Sequence, residues 1–231
     1  MAGFAQRPAA DPSMPGSFPV FDAVVQQVIR LLAPGRALDI GAGAGKYGRM
    51  LAALAPDGHR EGIEIEPAYV EAHGLQALYH RLHVADAAQW WRQHPADTFD
   101  LVLVGDCLEH LPKSAGLDLL NAMVYRCGYL LVLVPEFVVQ GAVGGVAAEA
   151  HLSVWSERDL HWHDLWAWDN CRATSLLLLR GYQPAPWPLE ALVDQLNAAD
   201  LPVRHFDGQT LVRPARLRVV AQPREVAYRL P

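Results

Sequence analysis

Residues 36–48, RALDIGAGAGKYG, constrain this chain more than any other segment. A short apolar stretch ends in Asp39 and Ile40 and runs into glycines at 41, 43 and 45. A strand that turns abruptly into a helix needs residues tolerant of positive φ, and a ligand lying on the turn needs backbone without Cβ atoms. The segment therefore predicts a nucleotide-type ligand. An NTPase P-loop would place glycine at 40 and Ser or Thr at 47, where the chain has Ile40 and Tyr47. A dinucleotide fingerprint counted from Gly41 meets Lys46 where its third glycine belongs. Counted from Gly43 it is satisfied by Gly45 and Gly48, but two residues late relative to the strand. The glycine run by itself leaves the ligand open.

Downstream residues narrow the choice. A helix over residues 47–54 and a turn at Pro56, Asp57 and Gly58 lead into a second strand ending in Gly62, Ile63, Glu64, Ile65 and Glu66. Pro67 is placed to open the next helix. A carboxylate at that strand end can accept both hydroxyls of a ribose. A third strand, 82–85, ends at Asp86; a fourth, 99–104, runs into DCLEHLP at 106–112; a fifth, 129–134, stops at Pro135. Alternating strand and helix patterns predict a parallel sheet with crossover helices. The polar residues gather at the carboxyl ends of its strands, where open α/β sheets bind ligands.

The ordered set LDIGAGAGKYG, GIEIEP, VADA and FDLVLVGDCLEHLP resembles the class I S-adenosylmethionine-dependent methyltransferases, over residues 20–160. The resemblance implies an α/β, Rossmann-like three-layer sandwich: a mostly parallel seven-stranded sheet, helices on both faces and an antiparallel late strand. It implies that Asp39 and the backbone of Gly41, Gly43 and Gly45 hold the methionine part of the cofactor, Glu64 the ribose and Asp86 the adenine edge. Ala42, Tyr47, Ile65, Ala87 and Asp106 are expected in the same cofactor site. S-adenosylmethionine is then the cofactor and S-adenosylhomocysteine the product. Each assignment has a plainer alternative. The glycines could form an ordinary tight turn, Asp39 could satisfy backbone donors, Asp86 could cap the helix that follows, and Trp90 could face adenine or be core. Glu61 and Glu66 read as surface charges.

Bulk properties suit a domain able to bury its own core at 231 residues. No apolar run approaches the roughly 20 residues that cross a bilayer, and no basic start followed by an apolar segment suggests a secretory leader. Cys107, Cys127 and Cys171 lack metal or disulfide-framework spacing, which fits a reducing cytoplasm. The net charge of −6 argues against a general nucleic-acid partner, although residues 213–218 carry a small basic patch. Oligomeric state stays open, a homodimer included.

Residues 1–19, rich in Pro, Ala and Gly, are expected to be a mobile arm, and 20–231 the catalytic domain. Apolar residues from Val20 to Leu32 at helical spacing predict a helix ended by Pro34 and Gly35. Within the domain, 136–170 is expected to be a substrate-capping insertion and 184–231 an extension completing the sheet. HLSVWSERDL at 151–160 resembles the region after the fifth strand of several small-molecule methyltransferases, some acting in sugar or cell-surface polysaccharide pathways. Ser156 is a predicted N-cap, 189–199 a helix, and 217–221 a late antiparallel strand; 170–183 fits neither helix nor strand cleanly.

Methyl transfer needs an in-line nucleophile and close approach, and sometimes a base. No NPPY-like tetrad follows the fourth strand, which disfavours amino-group methylation of DNA bases or glutamine. The expected acceptor is a small molecule methylated at oxygen, with nitrogen as the alternative; protein, RNA or a non-catalytic cofactor module are the rival readings. His110 and His151 are the candidate bases, each set against a structural role. No metal is expected, but if Asp106 opens a helical turn then Asp106, Glu109 and His110 share a face, a facial set resembling that of ubiquinone-pathway O-methyltransferases. His161, His163 and Asp164 lack a further ligand pair and read as surface or packing residues.

Overall fold

The computed structural model describes residues 17–222. The segments 1–16 and 223–231, and with them most of the expected N-terminal arm, lie outside the described residues.

In chain order the elements are α1 (Asp22–Leu32), β1 (Arg36–Ile40), α2 (Lys46–Leu54), β2 (His59–Glu64), α3 (Pro67–Ala72), α4 (Leu75–Leu78) and β3 (Arg81–Val84). There follow α5 (Ala87–Gln93), β4 (Phe99–Gly105), α6 (Lys113–Val124) and β5 (Cys127–Pro135), then β6 (Leu165–Cys171) and β7 (Thr174–Arg180). The chain closes with α7 (Leu189–Ala198), β8 (Pro202–Arg204), β9 (Leu211–Pro214) and β10 (Arg218–Ala221). The main sheet has the order β10-β6-β7-β5-β4-β1-β2-β3, and β8 pairs with β9 apart from it. Strands β1 to β5 pair in parallel, whereas β7 is antiparallel to both β5 and β6, and β10 is antiparallel to β6.

The sheet thus has eight strands instead of the expected seven, and two of them, β7 and β10, run against the rest. Residues 170–183 were unreadable for a physical reason. Leu176 to Leu179 are buried on both faces, so the strand has no alternation to show. Its hairpin with β6 turns without a glycine, through Arg172 at φ 58°. The last residues of the expected capping insertion, 165–170, lie within β6.

Alternation along the central strands sorts the core into two layers. Leu101, Leu103, Tyr129 and Leu131 pack with α1, Leu51 of α2 and α7 on one face. Val102, Val104, Leu130 and Val132 pack with Trp90 of α5, with α6 and with Trp155 on the other. In α1, Val24, Val25, Val28, Ile29 and Leu32 are buried at helical spacing, and the helix stops at Ala33 in the left-handed conformation before Pro34.

Glu61 is not a surface charge. It is buried on β2 and accepts from Arg36 at 2.6 Å, with His83 at 3.1 Å. Burial alone would raise its pKa, but the bonds and charges of His83 and Arg36 outweigh this and hold it at about 2. The 213–218 patch is likewise internal in part: Arg213 forks onto Asp169 at 2.7 and 2.9 Å, and Arg216 pairs with Asp200 at 2.6 Å.

Candidate active site

Strand order reverses at β1, whose neighbours are β2 and β4, and the cavity opens at the carboxyl ends of these strands. Gly41, Gly43 and Gly45 have φ of 77°, 49° and 77°, values strained for residues with a Cβ. At Gly41 a Cβ would also lie 2.8 Å from the Cys107 side chain, so the turn can press against the end of β4 only as glycine. Gly41 and Ala42 donate to the Ile63 carbonyl, which pins the turn to β2.

Glu64, at the end of β2, is 4% exposed and braces the turn. Its carboxylate accepts from the N–H of Gly43 at 2.7 Å through one oxygen and from that of Glu66 at 2.8 Å through the other. A carboxylate has about four lone-pair sites, so each oxygen can also accept a hydroxyl. Beyond it Ile65 is half exposed, and Ala85, Asp86 and Ala87 complete a flat wall at the end of β3. Asp86 caps α5, one oxygen accepting from Ala88 N–H at 2.8 Å, while its residue also lines the cavity. Capping is therefore compatible with a ligand contact. Trp90 is core, stacked on His94 and absent from the lining, and no tryptophan among the described residues lines the cavity.

Asp39 and Gly45 do not line the cavity. Gly45 begins α2 and packs under Leu75 and Leu78. Asp39 is fully buried beneath the turn, where the Tyr79 hydroxyl donates to it at 2.5 Å. Burial raises its pKa from 3.8 to about 7, the Tyr79 bond opposing and the Glu64 charge adding to the rise. The native state therefore binds a proton at Asp39 that the unfolded chain releases near pH 4. Its contribution to stability is full below pH 4 and is lost as pH climbs to about 7. Denaturant unfolding from pH 4 to 8 is expected to show this fall, with a slope approaching about 1.4 kcal/mol per pH unit at most. Asp39→Asn should flatten it; an unchanged slope would rule Asp39 out as its source.

Sequence reasoning did not anticipate the segment at residues 17–18 as part of the site. Phe18 N–H donates to Asp106 at 2.7 Å, and Lys46 reaches the carbonyls of Ser17 and Phe18 at 3.3 and 3.1 Å while pairing with Asp22. Ser17, Phe18, Tyr47 and Asp106 all line the cavity. Nothing in a lone Lys46 or in SFP signals this contact, because it joins residues 88 apart.

Asp106 does not open a helical turn. It sits at φ 47°, and the 3-10 turn that follows spans Leu108–His110. Asp106 is accordingly not among the donor atoms that converge. Those that do belong to Glu109, His110 and His151, one ligand atom of each lying within 4.8 Å of the others. The His110 and His151 rings meet edge to face, centroids 5.0 Å apart. His110 Nδ1 lies 3.2 Å from the Ala150 carbonyl and His151 Nδ1 2.8 Å from that of Val138. Glu109 is 1% exposed. Burial, and then the Asp106 charge, hold its carboxyl well above the usual range.

The loop after β5 completes the wall with Gln140, Val143, Val146 and Glu149, and the Tyr69 hydroxyl of α3 donates to Glu149 at 3.0 Å. Leu152 and Ser153 N–H groups donate to the Glu109 carbonyl at 2.6 and 3.1 Å, which fixes this loop to the end of β4. The cavity measures about 540 Å³, within the range of small-molecule sites. His161 and His163 lie elsewhere: His161 is exposed, and His163 is buried with Nε2 2.8 Å from the Arg180 carbonyl, as a packing residue would be.

A family described as a methyltransferase domain matches residues 19–170 of this chain. A curated relative, trans-aconitate 2-methyltransferase of Methylobacterium radiotolerans, is 31% identical over 109 residues, covering 47% of this chain and 41% of that protein. The chain thus spans about two fifths of the relative it matches. Among solved structures, the plantazolicin methyltransferase BpumL in complex with SAH aligns at TM-score 0.54 and 12% identity, over 71% of this chain and 85% of that one. The N-terminal domain of EvdMO1, solved with SAH and D-fucose, aligns at 0.52 and 16%, over 73% and 84%. An O-methyltransferase family protein from Burkholderia thailandensis aligns at 0.50 and 15%, over 69% and 55%. These likenesses establish a shared fold.

Proposed function

We propose that this chain, which belongs to the class I S-adenosylmethionine-dependent methyltransferase family, methylates a hydroxyl of a small, neutral or cationic acceptor. The cavity fits the cofactor in three respects: a turn of positive-φ glycines, the Glu64 carboxylate beside it, and the apolar Ile65 with small alanines next to Asp86. When bound, S-adenosylmethionine supplies an electrophilic methyl group. Around it the protein need only bind, orient and exclude water, since proximity accounts for much of such an acceleration.

One observation carries the acceptor class. Glu64, Glu66, Asp86, Asp106 and Glu149 line the cavity, whereas Lys46 is the one Lys or Arg among its described lining residues and is already paired with Asp22. A polyanion such as trans-aconitate would meet a mostly acidic wall there. His110 and His151 supply the polar wall for the acceptor. Their Nδ1 atoms face carbonyls, which only accept, so Nδ1 carries the hydrogen and Nε2 the lone pair. The D-fucose in the EvdMO1 structure and the O-methyltransferase name of the Burkholderia protein support hydroxyl chemistry by analogy of fold.

The test is transfer of labelled methyl from S-adenosylmethionine into a panel of sugars, phenols, amines, carboxylic acids, bulk protein and RNA. Label is expected in a base-stable ether of a neutral or cationic hydroxylic acceptor. His110→Ala and His151→Ala are each expected to lower kcat by about 10² or more, with S-adenosylhomocysteine affinity held within about threefold. Label confined to carboxylic acids, protein or RNA would replace this reading. Cofactor binding with no transfer to any acceptor would favour the non-catalytic module.

A further inference from the structure

We propose that Glu109, His110 and His151 form a binding site for a divalent transition-metal ion whose open coordination position faces the acceptor. The acceptor half of this statement rests on the function proposed above; the metal site itself does not.

The donors come from two segments brought together by folding, the turn after β4 and the loop after β5, and one ligand atom of each lies within 4.8 Å of the others. His110 Nε2 is 3.8 Å from a Glu109 oxygen. Bonds of about 2.0–2.1 Å in a tetrahedral site set ligand atoms about 3.3 Å apart, so the pairs must close by roughly 0.5–1.5 Å. Metal-binding histidines almost always donate their second ring nitrogen to a carbonyl or carboxylate, which fixes tautomer and ring orientation. Both imidazoles already have that arrangement, His110 on Ala150 and His151 on Val138, and His110 Nε2 faces Glu109.

Glu109 provides the second, independent observation. Its side chain is 1% exposed, and its Oε2 makes no hydrogen bond among the described residues. A buried carboxyl oxygen without a partner is costly, and a cation bound by this carboxyl, whose Oε1 faces His110, would offset that cost. The geometry is also held from outside the cluster, because the Glu109 carbonyl receives the N–H groups of Leu152 and Ser153, immediately after His151. Loop and turn therefore cannot drift apart independently.

Two imidazole nitrogens and one carboxylate oxygen suit Zn²⁺, Mn²⁺, Fe²⁺ or Co²⁺, and serve Mg²⁺ and Ca²⁺ poorly. Three protein ligands leave a fourth position for water or for the acceptor oxygen. A hydroxyl held there loses its proton to solvent more readily. The O–CH₃ bond then forms as the S–CH₃ bond breaks, and S-adenosylhomocysteine departs as a neutral thioether.

Calorimetric titration of ZnCl₂, MnCl₂ and MgCl₂ into the chelator-stripped full-length chain, with S-adenosylhomocysteine present, tests the site. The Co²⁺-loaded form is read by its visible absorption. Zn²⁺ and Mn²⁺ are expected to bind one per chain, and Mg²⁺ not measurably. Glu109→Gln, His110→Ala and His151→Ala should each weaken Zn²⁺ by on the order of 100-fold and abolish the Co²⁺ bands, with S-adenosylhomocysteine affinity preserved as the readout of folding. His161→Ala should change nothing. Absence of Zn²⁺ and Mn²⁺ binding, or binding that survives His110→Ala and His151→Ala, overturns the site. Metal binding lost in the variants without transfer to any hydroxylic acceptor upholds the site and removes the acceptor reading instead.

Discussion

Glu64→Ala is expected to weaken binding of S-adenosylhomocysteine by about 100-fold or more, about 2.7 kcal/mol at 25 °C. The size follows from what one carboxylate does. It accepts charge-assisted bonds from Gly43 and Glu66, so its removal frees the glycine turn and the loop leading into α3 together. Hydrogen bonds to charged groups contribute about 1.5–3 kcal/mol each, and a buried N–H left unsatisfied adds to the loss. A ribose contact would be lost as well. Glu64→Gln keeps an acceptor for one N–H but loses the charge, and should fall between wild type and the alanine variant, roughly tenfold weaker. Calorimetric titration reads both. Affinity within threefold of wild type for Glu64→Ala would remove Glu64 from the cofactor site and with it the placement of the nucleoside along β2.

Gly105→Ala is expected to destabilise the fold by about 3 kcal/mol or more, and to abolish cofactor binding in the fraction that still folds. Gly105 is not in the left-handed region, so its backbone would accept alanine. The obstacle is Tyr47: a Cβ at 105 would lie 2.0 Å from the Tyr47 Cε2 atom and 2.7 Å from its hydroxyl oxygen. Tyr47 is 2% exposed and packed against β4 from α2, so its ring can yield only into the cavity that it lines. For a domain of this size the loss corresponds to a fall in Tm of roughly 6–12 °C. The effect should be strongly non-additive with Tyr47→Ala, because the second substitution removes the ring that the first one strikes. Chemical denaturation of the four proteins of this cycle measures the coupling. Additive losses would show that the strain lies elsewhere.

The two predictions fall on residues of different legibility. Glu64 was readable because its function is local: a carboxylate at a strand end, three residues before a helix-opening Pro67, in an ordered series with Gly41 and Asp86. Gly105 carried no such signal. It ends an apolar strand, and its requirement for a missing side chain comes from a tyrosine 58 positions away in sequence. Asp39 lies between these cases. Its position at the end of β1 pointed to the cofactor, yet its carboxylate is spent on Tyr79, a partner beyond the reach of any motif.

The sequence by itself determined the α/β class, the order of β1 to β5, the glycine turn and the acidic strand ends, all matters of period, turn chemistry and short spacing. Those are local properties, written within a dozen residues of one another. Tertiary structure alone decided that the sheet takes an eighth strand, that β7 enters antiparallel between β5 and β6, and that residues 17–18 lie against Asp106. It also decided that the third donor beside Glu109 and His110 is His151 rather than Asp106. Spacing along a helix would have chosen Asp106, but a positive φ turns that residue out of the register the argument assumed. His151 reaches the cluster through backbone bonds from the next two residues to the carbonyl of Glu109, across 43 and 44 positions of sequence. Which side chains meet over such distances is set by loop closure and packing, and no local pattern encodes them.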